Sequence, residues 1–135
     1  MKILSIPNEN GKMTCFWEEG ASSGKKPLII CLADKEEDAQ RDLNLLFSQA
    51  NGASVAALVV YPQTEEQIVG DWLYSLRQRE DVDENRITLT GTLSAADWVW
   101  RLGSHFPQWF AGICAVGGYG DPYEVRAMKN VPVRA

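Results

Sequence analysis

The chain has 135 residues and a mass of 15.0 kDa, with 45% hydrophobic and 23% charged residues. This is the size and composition of a single globular domain, residues 1–135, and it excludes a disordered chain or a fibrous repeat. Eighteen acidic residues against thirteen Lys and Arg residues give a net charge of −5. Because no basic run is longer than Lys25-Lys26, we expect no nucleic-acid partner.

The apolar runs of the chain are short. The longest, Pro27 to Ala33 and Ala53 to Tyr61, fall well below the roughly 20 residues that cross a bilayer, and the first residues lack the apolar core of a signal peptide. We therefore expect a cytoplasmic protein with no membrane partner. Cys15, Cys31 and Cys114 lie in or beside apolar runs, which favours buried reduced thiols over a disulfide set. There is no Cys-x-x-Cys motif or histidine pair, so we expect no metal site, and no cofactor is implied.

The first predicted element is a β-hairpin. Ile3 to Ile6 and Met13 to Trp17 alternate apolar and polar residues on either side of a turn rich in Asn and Gly. Two continuously apolar runs, Leu28 to Leu32 and Val55 to Val60, then predict strands that are covered on both faces. Apolar residues recur at helical spacing between these strands and predict one βαβ unit: Leu43, Leu46 and Phe47.

The second half of the chain continues the alternation of helices and strands. Thr64 and Gln67 form a capping-box pattern, which predicts the start of a helix at this point. In the helix predicted after Leu89, Trp98 and Trp100 point to different faces, so both cannot be equally buried. We expect Trp100 in the core, and an exposed Trp98 would indicate a contact surface. The remaining predicted elements are a strand at Ile87 to Leu89, a helix at Leu93 to His105, a strand at Ile113 to Val116, a short helix capped by Asp121 and Pro122, and a strand from Val131.

This alternation predicts an α/β fold. The sheet should be doubly wound and mostly parallel, with the N-terminal antiparallel hairpin at one edge and helices on both faces. In such sheets, ligands bind beyond the carboxyl ends of the strands, near the point where the strand order reverses.

A known family pattern appears in the middle of the chain. The run from Val82 to Gly91 resembles the approach to the nucleophile elbow of α/β-hydrolases, in particular the esterase, phospholipase/carboxylesterase and prolyl-oligopeptidase-like branch. The similarity continues through Trp100, through the segment His105 to Ile113, and through Gly118 to Val133. The resemblance implies a truncated α/β-hydrolase fold with strand order 4-3-5-6-7 in the family's numbering.

The residues at the expected elbow depart from the family pattern G-x-S-x-G-G. In an alignment without gaps, the nucleophile position falls on Leu93, and alanines replace the two following glycines. Ser94, the alternative nucleophile, lies one residue after the position where the family has its serine. Aligning Ser94 with that position requires an insertion, which moves Trp100 away from its family position. With Asp97, Ser94 also forms an S-x-x-D pattern typical of a helix cap. We therefore expect no catalytic residue.

The other parts of the catalytic apparatus are altered as well. Where the family has L-H-G-G to supply oxyanion donors, this chain has Ala33, Asp34 and Lys35 after Leu32. A carboxylate there would repel developing negative charge, whereas as a helix N-cap Asp34 would have an ordinary structural role. The family's acid and base come after the strand that begins here at Val131, so neither is expected, and the single histidine, His105, matches a surface position.

These departures imply an esterase-like domain that has lost catalysis and serves as a binding or structural module. The alternative is a serine esterase, a carboxylic-ester hydrolase acting through Ser94 or completed by triad residues of another chain. The open edge of the last strand, at Val131 and Val133, predicts a homodimer or a partner protein. The candidate ligand crevice is formed by Ala33, Asp34, Thr92, Ser94 and Tyr119.

Overall fold

The computed structural model describes residues 2–8, 11–21, 23–61, 64–92, 95–116 and 133–134. The apolar runs form strands and the amphipathic segments form helices. In chain order the elements are β1 Lys2–Asn8, β2 Gly11–Glu18, β3 Lys26–Ala33, α1 Glu36–Phe47, β4 Ser54–Val59, α2 Glu66–Arg77, β5 Val82–Thr92, α3 Ala95–His105, a single 3-10 turn Pro107–Trp109, β6 Gly112–Val116 and β7 Val133–Arg134.

The strands form one sheet in the order β1-β2-β4-β3-β5-β6-β7. The hairpin β1-β2 is antiparallel and joins β4 in antiparallel orientation. All other neighbouring pairs are parallel. The structure thus confirms the predicted fold class, the hairpin at one edge and the strand order 4-3-5-6-7.

Helices cover both faces of the sheet. On one face, α1 buries Ala39 and Leu43 against β2, β3 and β4. On the other face, α2 and α3 cover a larger apolar core that contains Trp72 and Leu102. A doubly wound sheet requires this arrangement, because strands buried on both faces are stable only when each face is covered by apolar side chains.

Two predicted helix caps are wrong. The N-cap of α1 is Lys35 and not Asp34, because the backbone stays extended at Lys35 and its carbonyl accepts the first helical bond, from Ala39 N–H at 3.0 Å. The N-cap of α2 is Glu65, without a side-chain cap bond. Thr64 instead closes the turn after β4, since its Oγ1 accepts a hydrogen bond from the backbone N–H of Tyr61 at 3.2 Å.

The structure buries Trp98 more deeply than Trp100, which was expected in the core. Trp98 is only 4% exposed and belongs to the core, whereas Trp100 is half-buried at its margin. Trp98 lies one turn from Leu102 and shares its stripe. The guanidinium of Arg101 lies 4.6 Å from the ring centroid of Trp98 and covers it.

A network of charged side chains lies at the edge of the sheet opposite the carboxyl ends of its parallel strands. Arg79 stacks on the ring of Trp17 at 4.5 Å and donates to both carboxylate oxygens of Asp81 at 3.0 and 3.1 Å. Glu19 accepts hydrogen bonds from Trp17 Nε1 and from Lys26 Nζ. These bonds lower the pKa of Glu19, and the Arg79 bond lowers the pKa of Asp81.

The last described strand, β7, pairs in parallel with β6 through Ile113 and Val133. Val131 lies outside the described residues, as does the predicted short helix that begins at Asp121. Pairing of this edge with another chain remains a prediction. Among the described residues, no helix is long and apolar enough to cross a membrane.

Candidate functional site

The strand order reverses between β3 and β5. These strands are parallel neighbours, with Leu32 opposite Gly91, and the helices that follow them, α1 and α3, pack on opposite faces of the sheet. The chain therefore leaves the two strand ends towards opposite faces of the sheet, and this is the place where a crevice binds ligands in open α/β sheets.

The junction of β5 and α3 is packed very tightly. A β-carbon on Gly91 would lie 2.8 Å from Val99 Cγ2 and 3.2 Å from the carbonyl oxygen of Ala95. Ala95 and Ala96, at the positions of the family's glycines, are at most 1% exposed. Only two residues connect Thr92 to Ala95. Small residues on both sides of this connection thus let α3 pack closely against the end of β5, as small residues do at a nucleophile elbow.

The structure brings some of the predicted crevice residues together. Ala33, which is 4% exposed, ends β3, and the half-buried Asp34 follows it. Thr92 ends the adjacent strand β5. Leu93, Ser94 and Tyr119 lie outside the described residues. A ligand-binding role for the crevice residues remains a prediction.

A further residue lies at the same edge. The backbone N–H of Val60 donates to the carbonyl of Ala33 at 2.8 Å, so the chain after β4 stays beside the end of β3. Tyr61 follows and is 48% exposed. The sequence shows an aromatic residue directly after a buried strand at this point. It does not predict that this part of the chain lies close to Ala33.

His105 lies away from the crevice, as expected from the sequence. It is the last residue of α3, an eleven-residue helix, and is therefore about 15 Å from the helix start next to the elbow. Its Nδ1 is 2.7 Å from Glu66 Oε1, so it bridges the end of α3 to the start of α2. At this distance it cannot serve as a base for a group at the elbow of the same chain.

The cysteines are free thiols. Cys15 and Cys31 are buried, and burial raises the pKa of each to about 12, while Cys114 is half-buried. No group of three or more His, Cys, Asp or Glu side chains is placed to hold a metal ion among the residues that the structure describes. Cys31 also lines a small cavity beneath α1, which the sequence pattern does not reveal.

The fold matches known structures closely. A thermostable esterase superposes with a TM-score of 0.79 at 17% identity, covering 98% of this chain and 44% of that chain. The 2,6-dihydroxy-pseudo-oxynicotine hydrolase gives 0.70 at 15% identity, covering 96% and 42%. Est1E from Butyrivibrio proteoclasticus gives 0.67 at 11% identity, covering 84% and 49%. The chain therefore has the α/β-hydrolase fold.

The extent of the match is limited. The chain spans less than half of the length of these three solved structures. No protein-family model and no curated protein sequence matches it. The similarity therefore defines the fold, and an activity has to be argued from the site itself.

Proposed function

We propose that this chain is an esterase-like α/β-hydrolase domain that does not hydrolyse esters and acts as a binding or structural module. The observation that carries the proposal has two parts. The junction of β5 and α3 is closely packed, as at a nucleophile elbow, but the residues at and beside it do not suit ester hydrolysis. Gly91 packs tightly against Val99, which keeps β5 and α3 close together, while Leu93 replaces the nucleophile of the family pattern and Asp34 replaces the donor loop.

Asp34 opposes ester hydrolysis electrostatically. It directly follows β3, whose end lies beside the end of β5. Acyl transfer builds negative charge on the carbonyl oxygen, which hydrogen-bond donors must stabilise, and loss of one such donor lowers kcat by about 10²–10³-fold. A carboxylate near this position adds repulsion to that loss, so the edge favours polar or cationic ligands over an acyl transition state.

The imidazole that could act as the base of a serine hydrolase does not lie in the part of this edge that the structure describes. Among the described residues, the one histidine lies at the far end of α3 and is engaged with Glu66. A serine hydroxyl without an adjacent base is a weak nucleophile. The alternative function, a serine esterase using Ser94, therefore needs an imidazole from another chain or from a segment outside the described residues.

Hydrolysis of short acyl esters discriminates between the two functions. Purified protein is assayed with p-nitrophenyl acetate and butyrate beside a Ser94→Ala variant, with circular dichroism to verify that both are folded. The proposal predicts equal rates for the two proteins, at the level of non-specific ester cleavage. A rate that depends on Ser94 and saturates with substrate would establish the esterase instead.

The proposal also includes a cytoplasmic location for this domain. Cys15, Cys31 and Cys114 are free thiols in the structure, and a reducing compartment keeps thiols in this state. This supports a cytoplasmic module whose ligands enter the crevice between β3 and β5.

A further inference from the structure

A small cavity lies beneath α1, on the sheet face opposite α3. Its volume is about 120 Å³. It reaches the surface beside Leu45, whose side chain is 59% exposed. The cavity is lined by Cys31 of β3, by Asp42, Leu45 and Leu46 of α1, and by Thr90 and Gly91 of β5.

The charge of the cavity comes from Asp42. Its side chain is only 17% exposed, so the carboxylate is largely withdrawn from water. Its Oδ2 atom lies 3.9 Å from the Cys31 thiol. Burial, together with the Asp42 charge, raises the pKa of Cys31 to about 12, so the thiol is neutral at neutral pH. Among the described lining residues, Asp42 is thus the one that carries a charge.

Arg41 is the cationic partner of Asp42 in the structure, and it leaves space for a second cation at the same carboxylate. Arg41 Nε lies 3.5 Å from Oδ1 of Asp42, and Arg41 NH2 lies 3.3 Å from Asp38 Oδ1. The Arg41 side chain is 65% exposed and is shared between the two carboxylates. Arg41 therefore engages Oδ1, while Oδ2 accepts one hydrogen bond, from the Cys31 thiol that also lines the cavity, and a carboxylate oxygen can accept a second.

The size and walls of the cavity define what it can hold. Since a water molecule occupies about 30 Å³, the cavity has room for about four water-sized groups. That is well below the roughly 300 Å³ of a pocket for a drug-sized ligand. Leu45 and Leu46 offer apolar contact to methylene groups, and the partly buried carboxylate favours a cationic hydrogen-bond donor.

We propose that this cavity binds a primary alkylammonium group of four to five heavy atoms, with the ammonium on Asp42 and the methylene chain against Leu45 and Leu46. The group is either a free short amine or the end of a lysine side chain. The site is on the opposite face of the sheet from α3 and does not depend on the proposed loss of ester hydrolysis.

The test is a titration of the whole chain with n-butylammonium, followed by amide chemical shifts in NMR spectra. We expect saturable shifts centred on Leu45, Leu46 and Thr90 at millimolar amine. The uncharged isostere n-butanol should bind at least tenfold more weakly. Equal binding of the alcohol, or no saturable shift with the amine up to about 100 mM, overturns the proposal.

Variants assign the interaction to Asp42. Asp42→Asn should weaken amine binding at least tenfold, whereas Glu37→Gln, an exposed position on the same helix but outside the cavity lining, should change it less than threefold. Leu45→Ala provides a second loss variant, because an exposed side chain tolerates truncation. Arg41→Gln should strengthen binding by removing a competing cation. Unchanged affinity in folded Asp42→Asn and Leu45→Ala proteins contradicts the assignment.

The two sources of the ammonium group are separated by a parallel titration with N-acetyl-lysine-N-methylamide. Asp42-dependent binding of this compound supports a lysine side chain as the occupant. Asp42-dependent binding of butylammonium alone supports a free amine. Failure of both compounds overturns the site and leaves the ester-hydrolysis result untouched.

Discussion

Gly91 and Val99 approach so closely that no β-carbon fits between them, since one built on Gly91 would lie 2.8 Å from Val99 Cγ2. This contact brings the first turn of α3 against the end of β5. The closeness of strand and helix, rather than any catalytic group, is the feature of the nucleophile elbow that this chain retains.

Substitution of Gly91 by alanine should therefore destabilise the fold. Overpacking of a closely packed site costs about 1–3 kcal/mol, and we expect this loss in the free energy of unfolding measured by urea denaturation. In a Val99→Ala background the same substitution should cost at least about 1 kcal/mol less, because the opposing methyl group is gone. Additive effects in this double-mutant cycle would show that the two residues do not compete for space.

The network around Glu19 predicts a dependence of stability on pH. Hydrogen bonds from Lys26 and Trp17 lower the folded-state pKa of Glu19 below its ordinary value of 4.5. A group with a depressed folded-state pKa stabilises the protein above its unfolded-state pKa, and this contribution is lost as the pH falls through the folded-state value. The wild type should therefore lose more stability than Glu19→Gln as the pH falls below 4.5.

Urea denaturation at about pH 6 and about pH 3 measures this difference. Glu80→Gln, a change at an exposed neighbour of Asp81, serves as the control and should follow the wild type. If Glu19→Gln and the wild type lose equal stability between these pH values, the hydrogen bonds of Glu19 do not contribute to the pH dependence of the free energy of unfolding.

The three cysteines should differ in reactivity. Since burial raises the pKa of Cys15 and Cys31 to about 12, their thiolate fraction and access are both very low in the native protein. Cys114 is half-buried and should react with iodoacetamide at least tenfold faster. Peptide mapping by mass spectrometry measures the three rates, and denaturation should make them similar. Native labelling of Cys31 as fast as Cys114 would contradict the described packing.

Restoring a hydroxyl at the family nucleophile position should not restore hydrolysis. We expect Leu93→Ser to cleave p-nitrophenyl acetate within about threefold of the rate of a Leu93→Ala control, because a serine without a base remains a weak nucleophile. Both variants are first compared by thermal melting. A gain of about a hundredfold in Leu93→Ser alone would mean that a base and an oxyanion site are present, and that only the nucleophile was lost.

A sheet covered on both faces could be predicted from the residues because its central strands are continuous apolar runs, whereas the order of the strands was implied by the resemblance to α/β-hydrolases. Leu28 to Leu32 and Val55 to Val60 can be buried only in a sheet covered on both faces. The sheet order then places Asp34 and Thr92 at adjacent strand ends. This part of the candidate site depends on topology alone.

Other features depend on tertiary contacts that no local pattern encodes. The helix starts at Lys35 and Glu65 were missed because extended backbone continues past the residues with better capping side chains. Trp98 is buried in the core beside α2 and the sheet, with the Arg101 guanidinium over its ring. The Asp42 cavity is lined by residues of α1, β3 and β5, and the positions of these elements are set by the whole sheet.

Labelling with a fluorophosphonate, followed by intact mass spectrometry, tests the loss of catalysis most directly, because the reagent traps an activated serine whatever the natural substrate is. We predict an unmodified mass after an incubation that fully labels a serine esterase run in parallel. Stoichiometric labelling that disappears in Ser94→Ala would mean that this serine is activated, and it would contradict the central claim.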